Sequence, residues 1–404
     1  MIQYLKRSKL FSRIRPAKRR DFLLFIVASL LIAACGTTTA NTNWPGMSVK
    51  DDVVYVAYGP NVVAVDIAAE EELWSYRPSD VPDTVQLFAQ PSVDGRSVVV
   101  GDYGESGGIL NPRVTVRIYG LDEQELKTVA GIESPEEIWR NDVSAEDRIV
   151  AGPLQVGDQV FVGTNDNFMI ALDQSSGGTF EWSFETGKPV WSQPEYEDGI
   201  LYMGSMDGFV YALDAENGEE IWNRSLGGAV AANLELENNL LYANSYNRSA
   251  NALDPGTGEI VWQVETPASV WSGSAVTESE VFFVDLNGHV YAADATTGDV
   301  IWTVELGELV QATPAYADGV LYVTTTGRSD VEDEERQGTL FALSSEDGEI
   351  LWQERTQYLL FTGPAVIGDS VVVALLEQSE LLLVFDRQDG SLLWTFDRPD
   401  TEAE

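Results

Sequence analysis

The sequence predicts an all-β fold, an eight-bladed β-propeller built from four-stranded antiparallel blades. The main observation is a set of tryptophans at 40-residue intervals, Trp182, Trp222, Trp262 and Trp302. Each ends a near-copy of one segment, of which residues 210–222 are an example. A fixed period of this length indicates a repeat architecture, because one such unit cannot bury its own faces and must stack on its neighbours.

The repeat of residues 190–226 supports β-structure. Apolar and polar residues alternate with a period near two, and Val, Tyr, Phe and Ile are frequent, which favours strands over helices. Turn signals such as Asp198-Gly199 and Asp207-Gly208 separate four short apolar segments. These segments are residues 190–196, 200–204, 209–213 and 220–224. Four antiparallel strands in about forty residues are typical of a propeller blade.

The recurring tryptophan is interpreted as a docking residue on the outer strand of each blade. An indole that buries roughly 150–250 Å² between sheets contributes about 4–6 kcal/mol as an upper bound. This structural role explains the recurrence without a ligand. The predicted docking residues are Trp74, Trp182, Trp222, Trp262, Trp302, Trp352 and Trp394.

Eight blades fit the spacing of these markers best. Trp74 and Trp182 are 108 residues apart, which we read as two repeats of about forty residues with inserted residues. The second repeat contains only a degenerate copy, residues 117–122, without its tryptophan. Seven or nine blades remain open if this region is misread. No blade is obviously split between the two termini, so the sequence leaves the closure of the ring open.

Residues 1–34 differ from the rest and resemble a lipoprotein signal peptide. A basic leader precedes the apolar residues 22–34, and Ile32-Ala-Ala-Cys35 resembles a bacterial lipobox. The resemblance implies that the leader is removed and that Cys35, the only cysteine, is lipidated. A plain signal peptide or anchor is the alternative. We expect residues 35–43 to form a tether, residues 44–398 the propeller, and residues 399–404 a disordered acidic tail.

The leader also predicts the location of the protein. We expect the protein to be exported and anchored to the cell envelope by its lipid. The anchor would lie in the outer membrane if the host has one, and otherwise on the outer face of the cytoplasmic membrane. Gly36 follows the cysteine, so an inner-membrane retention aspartate is absent at that position. Arg19-Arg20 resembles a twin-arginine signal, and Sec or twin-arginine export both stay open.

Charge argues against nucleic acid as a partner. The full chain has a formal net charge of −41. Removal of the leader leaves 16 of the 24 basic residues and 64 of the 65 acidic ones, a net charge of −48. Phosphate contacts need clustered cations, which such a surface lacks. The acidic run 330–335 has no ordered Ca²⁺-ligand spacing, so we expect a solvated loop.

The repeat has a recognisable form, Ala-Leu-Asp-x-x-x-Gly-Glu-x-x-Trp. It resembles the tryptophan-docking repeat of pyrroloquinoline quinone (PQQ) dehydrogenases and, equally, that of cofactor-free PQQ-like propellers. Together with the lipobox, the chain resembles the BamB outer-membrane assembly lipoproteins. The resemblance covers residues 44–398. It is specific for the fold and not for an activity, because one fold hosts many functions.

The resemblance to quinoproteins implies features that the sequence does not contain. It would lead us to expect a vicinal Cys-Cys pair over the quinone, a Ca²⁺ site and often a haem segment. Cys35 has no second cysteine to pair with. The single histidine, His289, follows a predicted hairpin turn and is interpreted as a chance surface residue. We therefore expect no PQQ, Ca²⁺ or other metal, and no catalytic residue.

Insertions suggest where a partner binds. Extra residues fall at 77–90 and 130–149, between blades, and at 102–113 and 327–338, between the second and third strands of a blade. In a four-stranded blade these loops emerge on the same face, and binding residues concentrate on loops held by a rigid scaffold. Trp139, Trp191 and Trp271 lie near this face. They either cap the core or anchor a partner.

The sequence thus favours a non-enzymatic, lipid-anchored, monomeric scaffold for protein contacts, and the BamB resemblance implies a role in outer-membrane protein assembly. Two alternatives remain. One is a diverged PQQ-dependent oxidoreductase with its site in the channel. The other is a polymer- or sugar-binding surface module, which only the aromatic residues support.

Overall fold

A computed structural model describes residues 46–79, 81, 85–87, 89–106, 114–129, 131–143, 148–328, 337–375 and 379–398. The leader, Cys35, the tether, the acidic run 330–335 and the C-terminal tail lie outside the described residues. Eight antiparallel sheets follow one another along the chain and contain no helix in the described part. The prediction of an all-β, eight-bladed propeller is confirmed.

Each blade is built from consecutive strands, which we call A to D from the channel outwards. Blades 1 to 4 contain β1 (Gly46–Lys50), β2 (Val53–Tyr58), β3 (Asn61–Asp66) and β4 (Glu71–Tyr76); β5 (Ser92–Val93), β6 (Ser97–Gly101), β7 (Glu105–Ser106), β8 (Val114–Val129) and β9 (Ile132–Val143); β10 (Leu154–Val156), β11 (Gln159–Gly163), β12 (Phe168–Asp173) and β13 (Thr179–Glu185); and β14 (Glu195–Glu197), β15 (Ile200–Gly204), β16 (Phe209–Asp214) and β17 (Glu220–Ser225).

Blades 5 to 8 repeat the same order without additions. They contain β18 (Glu235–Glu237), β19 (Leu240–Ser245), β20 (Ser249–Leu253) and β21 (Ile260–Glu265); β22 (Ala275–Val276), β23 (Glu280–Val284), β24 (His289–Asp294) and β25 (Val300–Glu305); β26 (Ala315–Ala317), β27 (Val320–Thr324), β28 (Thr339–Ser344) and β29 (Ile350–Arg355); and β30 (Ala365–Ile367), β31 (Ser370–Ala374), β32 (Glu380–Asp386) and β33 (Leu392–Asp397).

The connections fall on two faces. The loops between strands B and C hydrogen-bond to the segments that join successive blades, as in Tyr246 N to Ala229 O at 2.9 Å. We call the side formed by these two kinds of connection the loop face. The A–B turns bond to the C–D turns, as in Ala215 N to Gly199 O at 2.9 Å. We call this side the turn face.

In most blades the outer-strand indole stacks on the turn glycine of the next blade. The indole of Trp182 covers Gly218, whose φ of +74° places it in the left-handed region. A Cβ at Gly218 would lie 2.5 Å from Trp182 Cε3. Trp182 Nε1 also donates to Ala215 O at 3.1 Å. The same indole-on-glycine arrangement occurs for Trp222, Trp262, Trp302 and Trp352, on Gly258, Gly298, Gly348 and Gly390.

Trp139 is the outer-strand tryptophan of blade 2, and this corrects two sequence interpretations. Its strand partner is Gly120, in the register that pairs Trp222 with Ala212. It is only 6% exposed and covers Gly178 of blade 3. The second repeat therefore has its tryptophan, and Trp139 is not in an exposed loop. The repeated letters Glu-Glu-Ile-Trp at 136–139 and 219–222 could have revealed it.

The insertion in blade 2 lies on the turn face, not on the loop face as predicted for residues 130–149. β8 and β9 continue past the blade as a two-stranded ribbon, which delays the tryptophan. The ribbon also replaces the turn glycine that Trp74 would otherwise cover. Trp74 packs instead with Tyr119 and Leu121 in one buried cluster. Tyr76 Oη donates to Glu137 on the ribbon side at 2.5 Å.

The ring closes by side-chain packing between blades 1 and 8. Val56 and Val65 of blade 1 share a buried cluster with Val372 and Val384 of blade 8, and Trp394 packs against it. Both blades are contiguous in sequence, and no strand is exchanged. At this seam Glu70 occupies the place of the turn glycine, with a φ of 57°. Within the described residues, no helix is long and apolar enough to cross a membrane.

We expect Gly218→Ala to destabilise the protein by about 3 kcal/mol or more. The substitution combines left-handed strain of about 1–2 kcal/mol with overpacking of about 1–3 kcal/mol against the indole. Denaturant-induced unfolding measures the change. Gly199→Ala is the matched control, since Gly199 has a φ of +86° but no atom within 4 Å of an added Cβ. Equal losses in the two variants would contradict a specific role of the indole contact.

Candidate partner-binding face

One repeat position on the loop face carries the candidate aromatic residues. The residue nine positions after the docking tryptophan lies in the segment that enters the next blade. In five successive connections it is Trp191, Ala231, Trp271, Gln311 and Phe361. The residue before this position is aliphatic and buried between blades in all five connections. These residues are Val190, Val230, Val270, Val310 and Leu360. The buried aliphatic residue recurs in all five connections, whereas the residue that follows it varies from aromatic to small or polar.

Trp191 and Trp271 meet across the intervening connection, which contributes only Ala231. Their ring centroids are 6.3 Å apart with an interplanar angle of 71°. Tyr246 of the blade 5 B–C loop makes an edge contact with Trp271 at 5.9 Å and 81°. Trp191 Nε1 donates to Asn165 Oδ1 at 2.8 Å. All three rings are partly exposed, and we call them the aromatic cluster.

The loop-face connections described around this cluster are balanced in charge; the acidic run 330–335, which by sequence belongs to the B–C connection of blade 7, is not among them. Within residues 148–328, all of which are described, the loop-face connections carry four acidic and four basic residues. These are Asp166, Asp207, Asp285 and Glu308, and Arg148, Lys188, Arg248 and Arg328. The turns of the turn face in the same residues carry nine acidic and no basic residues. A charge-balanced aromatic surface on so acidic a chain resembles the centre of a protein interface.

His289 is not a chance surface residue, which corrects the sequence interpretation. Its Nδ1 lies 3.0 Å from a carboxylate oxygen of Asp285, and its side chain is 23% exposed. Asp285 is fully buried and accepts hydrogen bonds from the backbone N–H groups of Asn287 and His289 and from Tyr291 Oη. The carboxylate thus organises the B–C loop of blade 6. A spacing of four residues between Asp285 and His289 does not by itself predict that their side chains meet, so only the structure reveals this pair.

Two glutamates line the channel beneath the aromatic cluster. Glu195 and Glu235 are the first residues of β14 and β18, at the same repeat position in neighbouring inner strands. Burial of the Glu195 carboxyl, and then the nearby Glu235 carboxylate, raise the pKa of Glu195 to about 7. Glu235 is accessible to water in the channel but surrounded by protein, and this desolvation raises its pKa. Sequence reasoning missed both, because acidic residues are abundant throughout the chain.

A Ca²⁺ ion beside PQQ would need several oxygen ligands around one point. The described residues contain no group of three or more His, Cys, Asp or Glu side chains placed to share a metal ion. The sequence supplies no cysteine pair to cover a quinone. Neither Glu195 nor Glu235 has a third carboxylate or histidine placed to complete such a group among the described residues.

We expect Glu195→Gln to change the pH dependence of stability. The folded pKa of about 7 exceeds the ordinary value of 4.5, so the protonated carboxyl contributes stability that is complete below pH 4.5 and is lost as the pH rises through 7. Glutamine mimics the protonated form. The variant should match the parent at pH 4.5 and exceed it by about 1–3 kcal/mol at pH 8. Denaturant unfolding at both pH values measures this, with Glu216→Gln as an exposed control that changes neither value.

Comparisons with known proteins agree with this architecture. Among solved structures, BamB from Moraxella catarrhalis superposes with a TM-score of 0.64 at 21% identity, covering 82% of this chain and 93% of that one. Among curated proteins, the outer membrane protein assembly factor BamB of Shewanella oneidensis is 23% identical over 150 residues, 34% of this chain and 38% of that protein. The quinohemoprotein alcohol dehydrogenase ADH IIB of Pseudomonas putida is 32% identical over 109 residues, 22% of this chain and 16% of that enzyme.

The two curated matches span less than two fifths of either relative, and the superposition at 21% identity supports the fold alone. A family model described as outer membrane protein assembly factor BamB matches residues 178–271 and 247–404, more than half of the sequence. The chain therefore belongs to the family of the outer membrane protein assembly factor BamB.

Proposed function

We propose that this protein is a non-enzymatic, lipid-anchored scaffold of the cell envelope that binds a protein partner through its loop face. The family membership supports a role in the assembly of outer-membrane proteins. The single observation that carries the proposal is the aromatic cluster of Trp191, Tyr246 and Trp271 in charge-balanced surroundings. Large aromatic residues are the side chains on which binding energy concentrates in protein interfaces.

The position of the cluster also favours a partner over a purely structural role. The docking indoles lie between blades, over a glycine. Trp191 and Trp271 instead keep part of their rings in solvent, at the mouth of the channel. Ala231 and Gln311 occupy the same repeat position in neighbouring connections. The blades therefore fold with small or polar residues there, and two tryptophans are not needed for packing.

We expect the double substitution of Trp191→Ala and Trp271→Ala to weaken partner binding at least about tenfold, since hot-spot aromatics contribute about 2 kcal/mol or more. The measurement is recovery of the outer-membrane protein assembly complex with the tagged full chain from detergent-solubilised membranes. Phe180→Ala is the control, because Phe180 is 59% exposed on the outer strand of blade 3, away from the loop face. Recovery that survives the double substitution, or falls equally in the control, would show that this face does not bind the complex.

Lipidation of Cys35 is the second part of the proposal. We expect Cys35→Ser to abolish incorporation of a radiolabelled fatty acid and to release the chain from the membrane fraction, because the serine lacks the thiol that the lipid-transfer reaction modifies. Metabolic labelling and fractionation test this. Persistence of the label in Cys35→Ser would place the lipid on another residue. Absence of the label in the parent chain would contradict lipidation altogether.

An oxidoreductase is the second candidate, favoured by the match to a quinohemoprotein alcohol dehydrogenase. An experiment with added PQQ and Ca²⁺ distinguishes the oxidoreductase from the scaffold. Absorption spectroscopy of the full chain detects bound PQQ, and reduction of a dye in the presence of alcohols detects turnover. A tightly bound chromophore with alcohol-dependent turnover would replace the scaffold proposal.

A further inference from the structure

The inner strands carry negative charge that the rest of the channel wall does not balance. Glu195 and Glu197 lie on β14, and Glu235 and Glu237 lie on β18. The other described inner strands have Ala, Gly, Ser or Leu at the first position. Their single basic residue is Lys50, at the turn-face end of β1. The acidic wall is therefore confined to blades 4 and 5.

The segments that carry the two tryptophans of the aromatic cluster lead into inner strands at the loop face. Trp191 precedes Glu195 by four residues, and Trp271 precedes the first residue of β22 by the same interval. Hydrogen bonds link the connecting segments around the mouth, as in Gln193 N to Asn233 Oδ1 at 2.8 Å. Indole faces attract cations through their quadrupole, most strongly where water is partly excluded. The aromatic rings and the carboxylates at the loop-face mouth of the channel therefore both favour binding of a cationic group.

Two buried polar atoms beside Trp271 add hydrogen-bond capacity. Asn244 is 4% exposed, and its amide donates to Ser272 O at 2.8 Å and Ser274 Oγ at 3.0 Å. Its Oδ1 has no hydrogen-bond partner, and neither does Ser272 Oγ. Buried polar atoms are normally paired, so an unused acceptor needs an explanation. Asn244 Oδ1 is a buried acceptor, and the carboxylates of Glu195 and Glu235 are the acceptors offered at this mouth, while the arginine side chain offers five donors and no acceptor.

We propose that the loop-face mouth of the channel at blades 4 and 5 binds an arginine side chain of the partner, with the guanidinium against Trp191 and Trp271 and directed toward Glu195 and Glu235. The inference rests on the proposed function, because the arginine belongs to the protein held by the loop face. Arginine fits better than lysine, since its planar group stacks on aromatic rings and is more weakly hydrated.

The test uses the full chain in non-ionic detergent and two peptides, acetyl-triarginine amide and its citrulline analogue, measured by isothermal titration calorimetry. Citrulline keeps the shape and lacks the charge. We expect saturable binding of the arginine peptide only. The double substitution of Glu195→Gln and Glu235→Gln should reduce affinity at least about tenfold, because charge-assisted hydrogen bonds are roughly twice as strong as neutral ones. Trp271→Ala should reduce it about fivefold.

The matched control is the double substitution of Glu216→Gln and Glu219→Gln, which removes the same charge from the turn face. We expect less than about a twofold change, since exposed distant charges are screened by salt. Equal losses in both double variants, equal binding of the citrulline peptide, or no saturable binding would overturn the inference. If the assembly complex is still recovered with the variant lacking both channel carboxylates, the scaffold role stands and only the arginine site fails.

Discussion

The propeller depends on one contact, an indole laid on a glycine whose backbone is in the left-handed region. From Trp139 on Gly178 to Trp352 on Gly390, six successive blade interfaces use it. The contact couples two requirements, because the turn needs a residue with positive φ and the indole needs a neighbour without a Cβ. Glycine meets both. The period of the sequence is therefore the period of this contact, and the rest of each blade is held in register by it.

The repeat made the fold predictable from the sequence. The residues that depart from the repeat could not be predicted in the same way. Strand number, blade number and the outer position of Trp182 to Trp394 follow from spacing and alternation. Trp139 was missed because a ribbon separates it from its strand C, so the interval after Asp122 is longer than in other repeats. The pairing of His289 with Asp285 and the approach of Trp191 to Trp271 depend on side-chain directions across loops, which periodicity does not encode.

The candidate binding face arises from how the repeat distributes its polar residues. The C–D turns of the turn face use an Asp side chain to accept from the following backbone N–H groups, as Asp214 does from Glu216 and Asn217, so part of the acidity of that face accompanies folding. The connections of the loop face are held by backbone bonds, buried aliphatic residues and a few polar side chains such as Asp207 and Asp285. Their other side chains are free to vary. A surface low in net charge can thus form beside the channel without cost to the blades.

Closure without a shared blade has a mechanical consequence. In a ring closed by strand exchange, a pull on the chain ends acts on a ladder of backbone hydrogen bonds. Here the described residues of the first and last blades meet through side chains, an apolar cluster that includes Trp394 and the stacking of Arg398 on the ring of Tyr58. Tension between Gly46 and Arg398 would therefore peel the molecule apart at this boundary while the six indole-sealed interfaces stay intact. The ring would then open into an arc before any single sheet unravels.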